Sequence, residues 1–575
     1  MNYASSVQSP GLVALPPWRS RVLFVLMLLG LLVLLARAVY LQGIHDTFLQ
    51  QEGNARYGRT IAISAHRGMI SDRNGKPLAI STPVESVWVS PQDVAATVSQ
   101  IKHLAQILDM SVPEVKERLS DTTRDFVYLK RLIPPGQAEK VVKLGIAGVS
   151  LQREYRRYYP DGDVTAQLLG FTNVDDKGQE GMELALQQEL GGEDGSQRVI
   201  KDRHGNIVED VANLRAPKPG SDVELSIDSR LQYLAFREIR RAVEQHHAKS
   251  GSIVVLDAKT GEVLALANWP SYNPNNRDKP DPAVLRNRAI TDQYEPGSTM
   301  KPFTVAAALE TGKVQPGTVI DTNGGVLAIG GYKIHDSHRD NKLTVSQVIQ
   351  VSSNVGAAKM ALSMSPETFW RNLDEDGFGK PTDCGFPGEA SGKLRDYRTW
   401  RPVEQATMSY GNGISVNLLQ LARAYTVFAN DGELLPVSLE KLDKPPTGKK
   451  IYSAKTAREV RNMMELVVGP DGTAPEAQIS GYRVAGKTGT SHKLRNGRYV
   501  DHYVASFIGL APASNPRLIV AVKIDDPSGE YYGGQVAGPV FKAVMAGALH
   551  LLNVPNDAPL DNVKMPTGEV LKEEA

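Results

Sequence analysis

The segment YEPGSTMKPFTVAAALETG (294–312) carries the most informative pattern in the sequence. Pro296-Gly297 predicts a turn, and the apolar run after it predicts a helix that Gly312 ends. Ser298 then lies at the start of a helix, where backbone N–H groups and the helix dipole stabilise developing negative charge. Lys301 follows one turn later on the same helix face, so its amine can reach the Ser298 oxygen.

Three short patterns occur together in serine acyltransferases: S-x-x-K, S-x-N and K-[ST]-G. Each arises readily by chance in a chain of 575 residues, because serine and lysine are common residues. Every pattern has more than one match here, and the matches include those that begin at Ser298 and Ser438, at Ser271, Ser352 and Ser415, and at Lys259 and Lys487. The order and surroundings of the matches must therefore decide which of them form a site.

The serine matches differ in their surroundings. Ser352-Ser353-Asn354 joins two helical pieces of TVSQVIQVSSNVGAAKMAL (344–362), and a turn there presents a hydroxyl and an amide to a cleft. Ser438 instead precedes the polar loop LEKLDKPPTGKK, which has no helix to orient the serine. Ser415 is expected to cap the helix that follows it. Ser271 comes before Ser298 in the chain.

The lysine matches also differ. Lys487-Thr488-Gly489-Thr490 ends a predicted strand, whereas Lys259 lies in a hairpin turn that explains its motif structurally. Lys487 offers a cation to a carboxylate, and Gly489 lets a substrate backbone approach closely. The sequence therefore predicts a serine acyltransferase site made of Ser298, Lys301, Ser352, Asn354, Lys487, Thr488, Gly489 and Thr490.

Composition excludes several other classes of site and partner. The chain is 41% apolar and 22% charged, and its net charge of +1 gives no strong attraction to nucleic acid. Cys384 is the single cysteine, so no internal disulfide can form, and no Cys/His cluster indicates a metal site. We expect no metal, no cofactor and no nucleic-acid partner.

The segments EPGSTMKPF, VSSNVG and AGKTGTS resemble class B penicillin-binding proteins, the peptidoglycan D,D-transpeptidases. The flanking segments RGMISDRNGKPLAIS (67–81), YYPDGDVTAQLLGFTNVDDKGQEGMELA (158–185) and SHRDNKLTVSQVIQVSSN (337–354) resemble the division-specific Gram-negative members, the penicillin-binding protein 3 type. The resemblance covers nearly the whole chain. The nearest alternative is an elongation-specific class B transpeptidase.

The resemblance implies a mechanism in which Ser298 attacks the carbonyl between the two D-alanines of a stem pentapeptide. Lys301 serves as the general base, and burial beside Lys487 is expected to lower its pKa. Ser352 relays a proton to the leaving amine, and Asn354 holds the substrate amide and Lys301.

The same resemblance assigns the substrate-binding groups. Lys487, Thr488 and Thr490 bind the terminal carboxylate, and the backbone N–H groups of Ser298 and Thr490 form the oxyanion hole. The expected substrates are peptidoglycan stem peptides and their lipid-linked precursor, and β-lactams are expected as covalent inhibitors. A polytopic glycosyltransferase and other division proteins are the implied partners.

An apolar run near the N-terminus predicts a membrane anchor over residues 21–41. Arg19 and Arg21 precede the run without any acidic residue before them, so residues 1–20 are expected in the cytoplasm and the catalytic part in the periplasm of a bacterial inner membrane. The alternative is a signal peptide cleaved after Ala38, since Ala36-Arg37-Ala38 fits the cleavage pattern.

Element patterns predict an α+β chain with three parts outside the membrane. Residues 42–220 form an elongated non-catalytic pedestal that resembles a dimerisation module, within which the charged stretch REYRRYYP (153–160) is expected to form a solvated face. Residues 221–553 form the transpeptidase domain, with a five-stranded antiparallel sheet, flanking helices and an all-helical subdomain. Residues 554–575, rich in Pro, Asp and Lys, are expected to be disordered.

Two further functions share the three motifs. A secreted serine β-lactamase would have them, but it would need neither a long non-catalytic module nor an anchor. A β-lactam sensor would need a cytoplasmic signalling part, and only about 20 residues precede the anchor.

Overall fold

A computed structural model describes residues 17–44, 58–124, 126–201, 207–276, 281–495, 497–568 and 570–573. The chain divides into two compact units. The first comprises Met1–Ser64, Glu85–Glu154 and Asp194–Pro217, and the second comprises Ala65–Val84, Tyr155–Glu193 and Lys218–Ala575.

The secondary structure alternates strands and helices along the whole chain. The described strands are β1 (Gly58–Ile63), β2 (Ile70–Ser71), β3 (Pro77–Val89), β4 (Val127–Ile133), β5 (Val149–Tyr158), β6 (Gly195–Lys201), β7 (Ile207–Arg215), β8 (Val223–Glu224), β9 (Ser250–Asp257), β10 (Val263–Trp269), β11 (Val319–Asp321), β12 (Val326–Ile329), β13 (Tyr332–His335), β14 (Lys342–Thr344), β15 (Glu433–Leu434), β16 (Lys449–Lys450), β17 (Ala485–Arg495), β18 (Arg498–Ala511) and β19 (Leu518–Asp525). The described α-helices are α1 (Pro17–Val39), α2 (Val98–Leu108), α3 (Val112–Ser120), α4 (Pro135–Val142), α5 (Ala166–Leu169), α6 (Gly181–Ala185), α7 (Gln187–Leu190), α8 (Ser229–Gln245), α9 (Pro282–Leu285), α10 (Arg288–Thr291), α11 (Lys301–Glu310), α12 (Val345–Gln350), α13 (Asn354–Leu362), α14 (Pro366–Glu375), α15 (Pro402–Met408), α16 (Leu418–Ala424), α17 (Thr426–Ala429), α18 (Ala454–Val467), α19 (Gly533–Val536) and α20 (Gly538–Leu551). Short 3₁₀ turns lie at Gly162–Val164, Gly297–Met300, Asn323–Gly325, Tyr397–Thr399 and Pro475–Ala477.

Helix α1 agrees with the predicted anchor. With the turn after it, the apolar stretch runs from Pro17 to Gly43, which is 27 residues and long enough to cross a membrane. Its leucine, valine and phenylalanine side chains are exposed in the structure. An apolar helix with no buried face requires an apolar environment, which a bilayer supplies.

The first unit contains an antiparallel sheet of β1, β6 and β7, together with β4 and the helices α2 to α4. Leu104 and Leu108 of α2 pack into its small core with Val115 and Leu129. The capping box of Thr97 with Gln100 starts α2 at Val98, because it satisfies two otherwise unpaired backbone N–H groups.

The boundaries of the predicted pedestal differ from the observed units. The segments Ala65–Val84 and Tyr155–Glu193, predicted within the pedestal 42–220, belong to the second unit. The Glu183 carboxylate there accepts hydrogen bonds from Arg67 at 2.7 Å and Arg157 at 2.6 Å, and all three side chains are fully buried. A buried carboxylate between two guanidinium groups requires this close packing.

The prediction of a solvated face for residues 153–160 is wrong for half of the stretch. Arg157 and Tyr159 are buried, whereas Arg156 and Tyr158 are exposed. The stretch lies largely on strand β5, whose side chains point to two faces, so that part of the stretch is buried while the rest meets solvent.

The second unit is built on a five-stranded antiparallel sheet in the order β10-β9-β19-β18-β17, as predicted. All eight residues of β9 are buried, so helices must cover both of its faces. Ile239 and Val243 of α8 lie against Gly251 of β9, and Phe541 of α20 contacts Phe507 of β18. Strand β17 lies at the edge of the sheet.

The segment between β10 and β17 is mostly helical, as predicted, and also holds three two-stranded sheets, β11–β14, β12–β13 and β15–β16. Helix α11 lies at its centre. Phe303 of α11 contacts Phe378, Tyr425 and Phe428, which fixes the helix that carries Lys301.

The tail beyond residue 554, expected to be disordered, instead packs on the second unit. Asp557 accepts a hydrogen bond from the Arg483 N–H at 2.7 Å, and Asn562 bonds the backbone of Gly481 and Tyr482. Polar side chains order the tail by satisfying backbone groups of a neighbouring turn, so low apolar content does not prevent its order.

Candidate active site

Ser298 lies in the 3₁₀ turn Gly297–Met300, which leads directly into α11. The side chain is almost completely buried, with 3% of the residue exposed. Gly297 has a φ of +57°, and a Cβ there would lie 3.3 Å from the Thr490 carbonyl, so the turn rests against β17. The Tyr425 hydroxyl donates to the Thr299 carbonyl at 2.8 Å and holds the turn from the other side.

Lys301 is the first residue of α11 and is fully buried. Its Nζ lies 2.8 Å from Ser298 Oγ and 3.0 Å from Ser352 Oγ, and it also donates to the Ser352 carbonyl. Burial, and next the positive charge of Lys487, lower the pKa of Lys301 to about 7. Near neutral pH this amine can therefore exist in the neutral form that accepts a proton.

Ser352 lies between α12 and α13 with a φ of +62°, a conformation that costs a non-glycine residue about 1 kcal/mol or more. Asp336 holds this turn by accepting hydrogen bonds from the Ser353 hydroxyl at 2.6 Å and from the Val355 N–H at 2.9 Å. Ser353 also caps α13 through the Gly356 N–H. The turn thereby presents the Ser352 hydroxyl to both lysines.

Lys487 extends from β17 and is fully buried. Its Nζ donates to Ser352 Oγ at 2.9 Å and to Thr488 Oγ1 at 3.1 Å. Burial lowers the pKa of Lys487 to about 8, and the nearby Glu573 carboxylate opposes this shift. A continuous chain of hydrogen bonds thus runs from Ser298 through Lys301 and Ser352 to Lys487.

Asn354 lies beside this chain, but its observed contacts differ from the expected ones. Its Nδ2 donates to the His335 carbonyl at 3.1 Å, and its Oδ1 is buried without a hydrogen-bond partner. The structure shows no hydrogen bond between Asn354 and Lys301 among the residues it describes. The free Oδ1 remains available to a substrate amide N–H.

The packing around position 489 requires a glycine there. A Cβ at this position would lie 2.5 Å from Ser506 Oγ and 2.9 Å from both the Pro296 carbonyl and Thr299 Cγ2. The expected reason for this glycine was the approach of a substrate backbone. The structure shows a further reason for the glycine, because the turn that carries Ser298 packs against it.

Two residues near Ser298, one glycine and one aspartate, were not predicted from the sequence. Gly411 has a φ of +88°, and a Cβ there would lie 2.1 Å from the Gly297 carbonyl. Asp336, which anchors the Ser352 turn, also escaped notice. The YGNG run around Gly411 is a turn signal that pointed to a special backbone conformation, although nothing in it indicated the partner.

A third missed residue is Glu573, near the end of the described chain. Its Oε1 accepts from Thr490 Oγ1 at 2.7 Å, and its Oε2 accepts from Thr488 Oγ1 at 2.8 Å. The tail was expected to be disordered, so no sequence signal connected it with the site.

The remaining motif matches lie outside the site. Lys441 of the second S-x-x-K match pairs with Glu224 at 2.8 Å, and Ser271 donates to the Asp163 carbonyl. The Lys259 match occupies the turn between β9 and β10, as predicted. Ser415 does not cap the next helix, because Asn417 is the capping residue and accepts from the Gln420 N–H.

Comparison with known proteins shows the family to which the chain belongs. Residues 251–546 match the family described as penicillin binding protein transpeptidase domain, and residues 62–225 match the penicillin-binding protein dimerisation domain. The chain is 46% identical over 555 residues to a probable peptidoglycan D,D-transpeptidase, PenA, of Neisseria gonorrhoeae, and the match covers 95% of each chain. It is 43% identical over 549 residues to the peptidoglycan D,D-transpeptidase FtsI of Escherichia coli, with 94% of this chain and 93% of that one covered.

A solved structure gives the same result for the fold. The apo transpeptidase domain of penicillin-binding protein 3 from Burkholderia pseudomallei is 49% identical and superposes with a TM-score of 0.54, covering 58% of this chain and 98% of that one. The chain belongs to the penicillin-binding protein family, with a dimerisation region followed by a transpeptidase domain.

Proposed function

We propose that this protein is a peptidoglycan D,D-transpeptidase that cross-links stem peptides through an acyl-enzyme on Ser298. The observation that carries the proposal is the hydrogen-bonded chain from Ser298 Oγ through Lys301 Nζ and Ser352 Oγ to Lys487 Nζ. These hydrogen-bonded side chains supply a nucleophile, a base of suitable pKa and a proton relay within a buried site.

In the first step Ser298 Oγ attacks the carbonyl between the two D-alanines and passes its proton to Lys301 Nζ. The tetrahedral intermediate places its negative charge between the backbone N–H groups of Ser298 and Thr490. The C–N bond then breaks, and the leaving amine of D-alanine takes a proton from Ser352 Oγ, which Lys301 reprotonates. The products are free D-alanine and an acyl-enzyme ester on Ser298.

In the second step the amine of a neighbouring stem peptide attacks the ester carbonyl. The amine loses its proton through Ser352 to Lys301, and Ser298 Oγ regains a proton as the ester bond breaks. The new amide is the cross-link. Because β17 is an edge strand, its free backbone groups can pair with an extended peptide during both steps.

The carboxylate of the substrate is proposed to bind Lys487, Thr488 and Thr490. A β-lactam carries a carboxylate at the corresponding position, so it would bind the same groups. It would then acylate Ser298 and block access of the acceptor amine. Incubation of the purified chain with a labelled penicillin should give one stable adduct per chain. Continuous rapid hydrolysis of the penicillin would instead identify a β-lactamase.

We place this activity at the division septum, because the flanking segments resemble division-specific members and a relative at 43% identity is named FtsI. Depletion of the protein in its bacterium should produce filamentous cells that fail to divide. Rounded cells would instead indicate the alternative, an elongation-specific transpeptidase.

The catalytic part is proposed to lie in the periplasm, since Arg19 and Arg21 at the start of α1 favour a cytoplasmic N-terminus. A polytopic glycosyltransferase is proposed to bind α1 and the membrane-proximal region. Crosslinking from exposed positions of α1, such as Leu31 and Leu34, should capture that membrane protein if the proposal holds.

A further inference from the structure

The described residues of the C-terminal tail contact the second unit at two places. Lys564 exchanges two hydrogen bonds of 2.8 Å with the Gln478 side chain, and Asp557 and Asn562 hold the preceding residues on the same surface. Farther along, the Lys572 carbonyl lies 3.1 Å from His338 Nε2, and the Lys572 ammonium lies over the Tyr532 ring. Lys572, the residue that precedes Glu573, therefore contacts two segments that are distant from each other in the sequence.

Glu573 is buried in the site, with 3% of the residue exposed. Its carboxylate contacts Thr488 Oγ1, Thr490 Oγ1, Ser352 Oγ at 3.3 Å and Lys487 Nζ at 3.6 Å. Each of these partners donates a hydrogen bond or carries positive charge, so the subsite matches an anionic oxygen pair.

Three of these partners, Lys487, Thr488 and Thr490, are the groups that the proposed function assigns to the substrate carboxylate. Two carboxylates cannot occupy one subsite, because they would repel each other and share the same donors. We propose that the tail is an intramolecular ligand of this subsite, with Glu573 occupying the position of the substrate carboxylate and holding the enzyme in a closed state. This inference rests on the proposed function of Lys487, Thr488 and Thr490.

The electrostatic effect of Glu573 acts in the same direction as its steric effect. Its negative charge raises the pKa of both Lys301 and Lys487, and Asp336 is the other acidic group that raises the pKa of Lys301. With the tail bound, Lys301 is therefore protonated over a wider pH range. Departure of the tail frees the subsite and lowers the pKa of the base.

Glu573 is present at a high effective concentration at this subsite, because hydrogen bonds of residues 556–564 already hold the preceding part of the tail on the second unit. Because Glu573 belongs to the same chain as this subsite, its effective concentration there is on the order of millimolar. A substrate that binds only through its terminal carboxylate would compete poorly, whereas one with additional contacts in the cleft can displace the tail.

The test compares acylation by a fluorescent penicillin in the full-length chain and three variants. Glu573→Gln keeps the shape of the side chain and removes its charge. A chain that ends after Gly568 lacks Glu573 but keeps residues 556–564, which are held on the second unit. Both should acylate about tenfold faster than the wild type at limiting penicillin, the effect of losing one charge-assisted hydrogen bond. Asp561→Asn, which removes the same charge at an exposed position of the tail, should leave the rate unchanged.

A synthetic peptide of residues 565–575, added to the shortened chain, should slow its acylation again. Wild-type rates in both Glu573→Gln and the shortened chain, with the adduct still on Ser298, would overturn the tail proposal alone. An equal acceleration by Asp561→Asn would also overturn it, because the effect would then not depend on Glu573. A lack of adduct in every chain would overturn the proposed function and the tail proposal together.

Discussion

Lys301 and Lys487 are two buried amines that share Ser352 as a hydrogen-bond partner, and their different pKa values suit different roles. Lys301, with a pKa of about 7, must be neutral to accept the Ser298 proton. Lys487, with a pKa of about 8, must be charged to bind a carboxylate. The pH profile of acylation is therefore expected to report both groups.

The acylation rate at limiting penicillin should therefore rise with pH through about 7 and fall above about 8, measured by stopped-flow fluorescence. The rise reflects deprotonation of Lys301, and the fall reflects loss of the Lys487 charge. In Glu573→Gln both limbs should move to lower pH, since that carboxylate raises both pKa values. A flat profile from about pH 6 to 9 would contradict the role of Lys301 as base.

Gly411 packs against Gly297 in the turn that carries Ser298. Gly411→Ala should lower the acylation rate at least about tenfold, because its Cβ would lie 2.1 Å from the Gly297 carbonyl and must displace the Ser298 turn. Gly413→Ala is the matched control. Gly413 also has a positive φ, but a Cβ there would meet nothing closer than 3.5 Å, so only the cost of the backbone conformation applies. Equal rates in the two variants would show that the contact with Gly297 is unimportant.

At the level of elements, the buried cluster of Arg67, Arg157 and Glu183 joins a loop, β5 and α6. Glu183→Ala should lower the free energy of unfolding by about 3–5 kcal/mol, because it leaves two buried guanidinium groups without their carboxylate. Urea denaturation measures the change. Glu189→Ala, at an exposed position six residues later, should change stability by less than about 0.5 kcal/mol. A small effect of both substitutions would show that the cluster contributes little.

The strands and helices around the site could be predicted because their signals are local. The apolar runs of β9, β10, β18 and β19 alternate with clear turns, and Gly312 marks the end of α11. The sequence predicts a helix from Pro91 to Leu108, but the observed helix α2 begins only at Val98, because the capping box of Thr97 sets its start. The pair Asn496-Gly497 predicts a turn, and Asn496 lies outside the described residues.

The contacts of the site that depend on distant residues could not be predicted. Asp336 contacts Ser353 across 17 residues, and Glu573 contacts Thr488 across 85. The tail is polar and poor in apolar residues, which is typical of disorder. Its order arises from side-chain hydrogen bonds to one particular turn, and a sequence pattern does not reveal that partner.

At the scale of the whole molecule, α1 is long and apolar enough to anchor the chain in a membrane. The full-length protein should sediment with membranes and retain residues 1–38, because the apolar stretch continues to Gly43 beyond the alternative cleavage point. Mass spectrometry of the purified protein measures this directly. A chain without residues 1–44 should be soluble and still acylate with penicillin. A mature mass that lacks residues 1–38 would show a cleaved signal peptide instead.

Ser298 as the nucleophile is the assignment on which the mechanism, the inhibition by β-lactams and the role of the tail all depend. Intact-mass and peptide-mass spectrometry after incubation with a labelled penicillin tests it, with the wild type and Ser298→Ala compared. We predict one adduct per wild-type chain, on the peptide that contains Ser298, and none on Ser298→Ala. An adduct that persists on Ser298→Ala, or that maps to Ser438 or another serine, would contradict the assignment.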